Sequence, residues 1–140
     1  MSDVQTLAYL KAQSANRLRT YTLLFGVSIV IEALAGLYAI LDPAGFVHFL
    51  ILPDPYPSTW ARLWGATLVA LELLYIPGAR HPLFYRWPNW ASIAIKLFVA
   101  VLLLCANPAF YLIAGWELLW AVVLFLTYYQ LALADLRTRP

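Results

Sequence analysis

Charge is what this sequence has least of. Only 11% of its 140 residues are Asp, Glu, Lys or Arg, against roughly 25% in a soluble domain. Histidine and cysteine are nearly absent too, with two and one copies. A lone Cys105 excludes an intramolecular disulfide and a thiolate metal cage. His48 and His81 fall in connections between apolar stretches, so no histidine pair is placed to ligate haem between helices. The Glu-x-x-His motif of carboxylate di-iron bundles is missing. So are the glycine-rich dinucleotide fingerprint, the P-loop and the G-x-S-x-G elbow. A net charge of +2 is too small to imply a nucleic-acid partner. The sequence therefore predicts no metal and no bound cofactor.

Apolar residues fill the chain instead, at 64% with a mean hydropathy of +0.76. Their pattern predicts one all-α domain over 1–140: an integral membrane four-helix bundle spanning at about 21–41, 60–76, 90–106 and 110–131. Each stretch approaches or exceeds the ~17–25 residues needed to cross ~30 Å of hydrocarbon. The first apolar run is too long for a signal-peptide core of about 7–15 residues, so it reads as a retained span. Residues 4–19 carry apolar positions at helical spacing beside Lys11, Arg17 and Arg19, which predicts a separate amphipathic helix in the interface. Residues 44–59 are too short to span and end in a Pro-rich return, an outer segment with a short interfacial helix. Asp42-Pro43, Pro77-Gly78 and Asn107-Pro108 are expected to end spans.

Basic residues orient this plan. Lys11, Arg17, Arg19, Arg80, Arg86, Arg137 and Arg139, seven of the nine, lie on one side if the termini are cytoplasmic. The positive-inside rule then places the chain in the inner membrane with both ends in the cytoplasm. Trp60, Trp64, Trp87 and Trp90 sit at span ends, where aromatic belts form.

Each apolar stretch holds one deep ionisable residue: Glu32, Glu72, Lys96 and Glu117. A charge in hydrocarbon costs several kcal/mol unless it is paired, neutralised or turned to a polar interior. With ~1.5 Å of rise per residue, Glu72 and Lys96 fall at similar depth on an antiparallel hairpin and are expected to form a structural ion pair. Glu32 and Glu117 fall near one another at a second level, a candidate buried polar site to which Arg62 reaches from the outer edge. Two carboxylates at one level need a counter-ion or a shared proton. Interhelical glue and a functional site both account for them.

The stretch from Trp60 to Leu104 joins Arg62 and Gly65 to a buried Glu72, then Ala79-Arg80-His81-Pro82, an aromatic loop and a second span. It resembles the small four-span DoxX-like and BphX-like bacterial membrane proteins. That resemblance implies association with oxidoreductase or degradation systems and carries over no catalytic residue.

The leading expectation is a non-catalytic accessory or assembly subunit of a larger, redox-linked membrane complex. Its partner would be another membrane protein or a second copy of the chain. Phe46, His48, Phe49 and Tyr56 outside, with Phe84, Tyr85 and Trp87 inside, are the candidate docking or lid residues, although interface anchoring explains the aromatics equally well. The alternative is a binder or enzyme for a lipophile such as a quinone or isoprenoid, with Glu32 and Glu117 at its polar end and residues 44–59 as lid. A proton or cation pathway through the carboxylates is the third.

Overall fold

The computed structural model describes residues 3–53 and 58–138; Tyr56 and Arg139 lie outside them. Helix α1 spans Asp3–Leu41, α2 Pro43–Phe49, α3 Thr59–Arg80, α4 Arg86–Ala106 and α5 Tyr111–Thr138, with a 3₁₀ turn at Pro108–Phe110 before α5. The fold is all-helical, and no strand occurs among the described residues. Three segments, Ala8–Leu41, Arg86–Ala106 and Pro108–Thr138, are long and apolar enough to cross a membrane. Helix α3 has 22 residues but carries Arg62, Glu72 and Arg80, and it is not among those three.

Three boundaries differ from the sequence reading. The amphipathic segment 4–19 is not a separate helix: α1 continues through Thr20 for 39 residues. That is ~58 Å of helix, about twice the thickness of bilayer hydrocarbon. No Pro or Gly interrupts it before Gly26, so nothing stops propagation once the apolar face begins to pack. Pro77 does not end α3 but sits inside its last turn, and His81 N–H closes the end on the Pro77 carbonyl at 3.0 Å. The proline ring forfeits the backbone bond to the Leu73 carbonyl and crowds that group, yet α3 continues for the rest of the turn. Helix α4 starts at Arg86, with Pro88 in its first turn, where a missing N–H has no intrahelical partner to lose.

Helix α1 packs against α3 and α5, α4 packs against α5 and more lightly against α3, and α2 rests on α1 and α3. The long helices therefore run around the bundle in the order α1, α3, α4, α5. The outward faces are apolar, with Leu23, Val30, Leu34, Leu73, Leu74, Phe98, Leu112 and Leu119 all exposed. Two cores form inside. The larger gathers Tyr21, Phe25, Ile29, Tyr75, Trp120, Leu124, Tyr128 and Leu131 toward the end that holds the α3–α4 connection. The smaller, at the other end, joins Ala39, Phe46, Val47 and Ala61 under α2.

Helices α1 and α3 cross at two glycines. A Cβ on Gly65 would stand 2.5 Å from the Gly36 carbonyl oxygen, and one on Gly36 would stand 2.7 Å from that of Gly65. Small residues permit this approach, which dispersion between the backbones then stabilises. At the opposite end Asn89 is fully buried. Its amide donates to the Pro82 and Tyr85 carbonyls at 3.0 and 2.8 Å and accepts from the Tyr21 hydroxyl at 2.9 Å. One side chain thus ties the α3–α4 connection to α1.

Helix α2 is capped by Asp42, whose carboxylate accepts from Gly45 N–H at 2.9 Å, with Pro43 pre-set for the first turn. It stops where Ile51 turns left-handed at φ 56°, a conformation that costs a branched residue about 1–2 kcal/mol.

Gly65→Val is expected to destabilise the bundle by about 1–3 kcal/mol through overpacking at the crossing. Gly26→Ala, where a Cβ meets nothing within 4 Å, should be neutral or stabilise by up to about 1 kcal/mol. Unfolding of the two variants in detergent, measured side by side, checks the contrast.

Candidate functional site: a four-helix charge cluster beneath an apolar pocket

Helices α1, α3, α4 and α5 each send one ionisable side chain to the bundle axis. Glu32, Glu72, Lys96 and Glu117 are all at most 5% exposed. Lys96 Nζ donates to both oxygens of Glu32. It lies 3.8 Å from Glu72 Oε1 and 3.8 Å from Glu117 Oε2. Glu32 also accepts from the Ser28 hydroxyl one turn earlier, at 3.1 Å. Helices α1 and α4 sit diagonally across the bundle, so the lysine spans its centre to reach Glu32.

The two groups of residues separated by depth in the sequence are one group in space. The helix ends explain the difference. Because α3 runs on to Arg80 and α4 begins at Arg86, Glu72 and Lys96 lie eight and ten residues from those ends. That places them ~12 and ~15 Å in, level with Glu32 and Glu117. Lys96 thus has three carboxylate neighbours, and its bidentate partner is Glu32, with Glu72 farther off. Arg62 is exposed on α3 and forms no ion pair with the cluster.

One ammonium among three carboxylates leaves a formal excess of two negative charges. Glu72 and Glu117 are both held only at a distance, and Glu72 Oε2 is buried without a hydrogen-bond partner. The one ion-pair partner of Glu117 among the described residues is Lys96 at 3.8 Å, beyond hydrogen-bond reach. The Tyr75 hydroxyl, 4% exposed, has no protein partner. It shares with Glu32, Glu72, Lys96 and Glu117 the wall of a chamber of about 140 Å³ in the light α3–α4 seam. A space of that size admits a few waters at ~30 Å³ each.

A second, larger cavity of about 700 Å³ opens between α1 and α5 and is roofed by α2. Aromatic and aliphatic side chains of α1, α2, α3 and α5 make its walls. Glu32 and Glu117 border both this pocket and the polar chamber, as do Trp64 and Leu68. The carboxylates thus stand between two cavities, of which the smaller also holds Glu72, Lys96, Thr67 and Tyr75 on its wall. Nothing among the described residues groups three or more metal-ligating side chains suitably for an ion.

Of the candidate lid or docking residues, Phe46 is buried against Trp64, with ring centroids 5.3 Å apart. Phe49 borders the pocket while remaining largely exposed. His48 is exposed on α2. Phe84, Tyr85 and Trp87 are exposed at the opposite end of the bundle and take no part in the site. Sequence reasoning missed Tyr75 and Trp116. Each lies three residues or fewer from a buried glutamate, a spacing that was the available signal. Trp64 reads in the sequence as a belt residue, but it lines both cavities. Comparison with family models, curated proteins and solved structures finds no match, so the chemistry of the site rests on its own geometry.

Removing one member of a buried ion pair costs about 3–5 kcal/mol, because the other charge is stranded. Lys96→Met is expected to lose stability on that scale, and adding Glu32→Gln should recover part of it. The coupling energy of Lys96 with Glu32 should exceed that with Glu72. Double-mutant cycles on unfolding in detergent measure both.

Proposed function

We propose that this chain is a four-span membrane protein that holds a lipophilic small molecule, of the size of a quinone head or isoprenoid segment, in the pocket under α2. The observation that carries the reading is the meeting of a pocket of about 700 Å³ with the buried carboxylates of Glu32 and Glu117. Binding sites for small molecules are concave, mostly apolar and furnished with a few convergent polar groups. The ligand's apolar body would lie between α1 and α5, its polar end against the carboxylates, with α2 as cover. Entry from the bilayer needs only a side opening between two helices. Helix α3 serves as the fourth span, its Glu72 turned to the bundle interior 3.8 Å from Lys96. The positive-inside distribution favours an inner-membrane location with both termini cytoplasmic, which puts the pocket in the outer half.

A second reading, an accessory subunit of a redox-linked complex, is favoured by the exposed aromatics at the other end. Phe84 and Trp87 are 80% and 79% exposed and would present a docking face to a membrane-protein partner. The DoxX-like resemblance points the same way. The two readings are compatible, because the pocket and that face lie at opposite ends.

Gly115 borders the pocket, and a Cβ built there meets nothing within 4 Å. Gly115→Leu should therefore narrow the pocket beside Glu117 without a backbone clash. Mass spectra of protein extracted gently from its own membrane are expected to show a bound lipophile in the wild type and none in Gly115→Leu. An unchanged ligand complement would sink the pocket as the binding site. Topology has its own test. Cys105 is exposed near the end of α4 and should react with a membrane-impermeant maleimide in intact cells. A His81→Cys, Cys105→Ser variant should react only after permeabilisation.

A further inference from the structure

We propose that the ligand of this pocket is a lipophilic cation: an apolar body carrying one positively charged centre, such as a quaternary or protonated amine. The proposal rests on the pocket being the binding site and adds the charge of what fills it.

Three observations converge on positive charge. The pocket's polar wall consists of the carboxylates of Glu32 and Glu117, and no Lys, Arg or His borders it among the described residues. Five of the fourteen other lining residues are aromatic: Tyr38, Phe46, Phe49, Trp64 and Trp116. Ring faces attract cations through their quadrupoles, and cages of such rings are how proteins hold quaternary ammonium groups. Finally, the cluster behind the wall is short of positive charge, because Lys96 faces three carboxylates and gives both of its close contacts to Glu32. Glu117, which borders the pocket, has Lys96 no closer than 3.8 Å, as does Glu72 behind it. A cationic centre seated beside Glu117 supplies the close partner.

The polar chamber supplies what a permanently filled ion pair would lack. Its wall carries the unpartnered Tyr75 hydroxyl and reaches Glu117 from the side opposite the pocket. A proton on Glu117 can compensate it when the pocket is empty, and a bound cation would release that proton through water in the chamber. An anionic lipid head is disfavoured by the same geometry, since it would meet two carboxylates while Lys96, behind them, is engaged by Glu32. A neutral quinone head would use the apolar volume but leave the charge excess unchanged.

Two probes of nearly identical shape and opposite charge separate these cases. Tetraphenylphosphonium and tetraphenylborate are titrated into the purified full-length protein, with tryptophan emission as readout because Trp64 and Trp116 line the pocket. Farnesol serves as a neutral probe. Each titration is repeated on Gly115→Leu, whose signal, subtracted, removes partition into detergent. The expected result is saturable binding of the phosphonium that exceeds the borate by about tenfold or more, in line with ion-pair and cation–π discrimination at a desolvated site. That binding should disappear in Gly115→Leu and weaken by about tenfold in Glu117→Gln, while farnesol binding changes little in the latter. Equal or tighter borate binding, or farnesol binding that depends on Gly115 without any for the phosphonium, overturns the cation and leaves the pocket standing. Absence of Gly115-dependent binding by all three probes, together with an endogenous lipophile that survives Gly115→Leu, overturns the pocket itself. Unfolding of Glu117→Gln in parallel shows that any loss belongs to the site and not to the fold.

Discussion

The ammonium of Lys96 at the centre of the bundle is the constraint to which the other features answer. An ammonium isolated in hydrocarbon is untenable, and its cost falls only when carboxylates meet it with good geometry. Glu32 does so directly, and Glu72 and Glu117 stand 3.8 Å from the same ammonium on two further helices, so the four helices share one axial level. A shift of one residue along any helix moves its side chain by 1.5 Å and swings it by about 100° around the axis. The glycine crossing of α1 and α3 and the Asn89 knot at the α3–α4 connection are the devices that hold that register from either side of the charge layer.

That layer divides the molecule into unlike halves. On the side of the α3–α4 connection the interior is packed with aromatic rings. Tyr21 lies 5.6 Å from Phe25 and 5.2 Å from Tyr128 between centroids, and Trp90 lies 5.4 Å from Tyr128. On the other side the core shrinks to a few residues beneath α2, and the space between α1 and α5 is a cavity. Dense packing resists local opening, whereas a thinly packed region opens at low free energy. Motion in this bundle is therefore expected to concentrate around α2 and the ends of α1 and α5 beside it, while the half at the α3–α4 connection acts as the fixed base. The left-handed Ile51 fits this division, since a strained turn at the end of a short cover lowers the cost of displacing it.

Composition and periodicity carried the all-helical class, the long apolar segments and the four ionisable residues. What they did not carry was how those residues meet. The sequence reading ended the second span at Pro77-Gly78, a rule based on proline's missing N–H. The missing N–H costs one bond, to the Leu73 carbonyl, without ending the helix, because the Pro77 carbonyl still accepts the regular helical bond from His81 N–H. Ending the helix one turn early moved Glu72 toward the surface on paper and split one cluster into two. The continuous α1 has the same character: polar composition over 4–19 marks where a helix leaves apolar surroundings, not where its backbone breaks. Trp64 and Trp116 were ambiguous for a different reason. A tryptophan near a span end serves a lipid belt and a pocket wall equally well, and only the positions of α2 and α5 relative to α3 decide between them.

The number of carboxylates is the strongest argument against a purely structural cluster. Lys96 and Glu32 alone make a complete pair, with both oxygens engaged and Ser28 supporting one of them. A bundle that needed only interhelical adhesion would gain nothing from two further acids, since each must be kept from water at a cost of several kcal/mol. Glutamine in either place would hydrogen-bond its neighbours without a charge to compensate, and leucine would fill the volume outright. Glu72 and Glu117 are thus surplus to the ion pair and expensive where they sit. One borders the polar chamber, and the other borders both the chamber and the apolar pocket. Polar groups that raise the cost of a fold and line its cavities are better explained by what enters those cavities than by what holds the helices together.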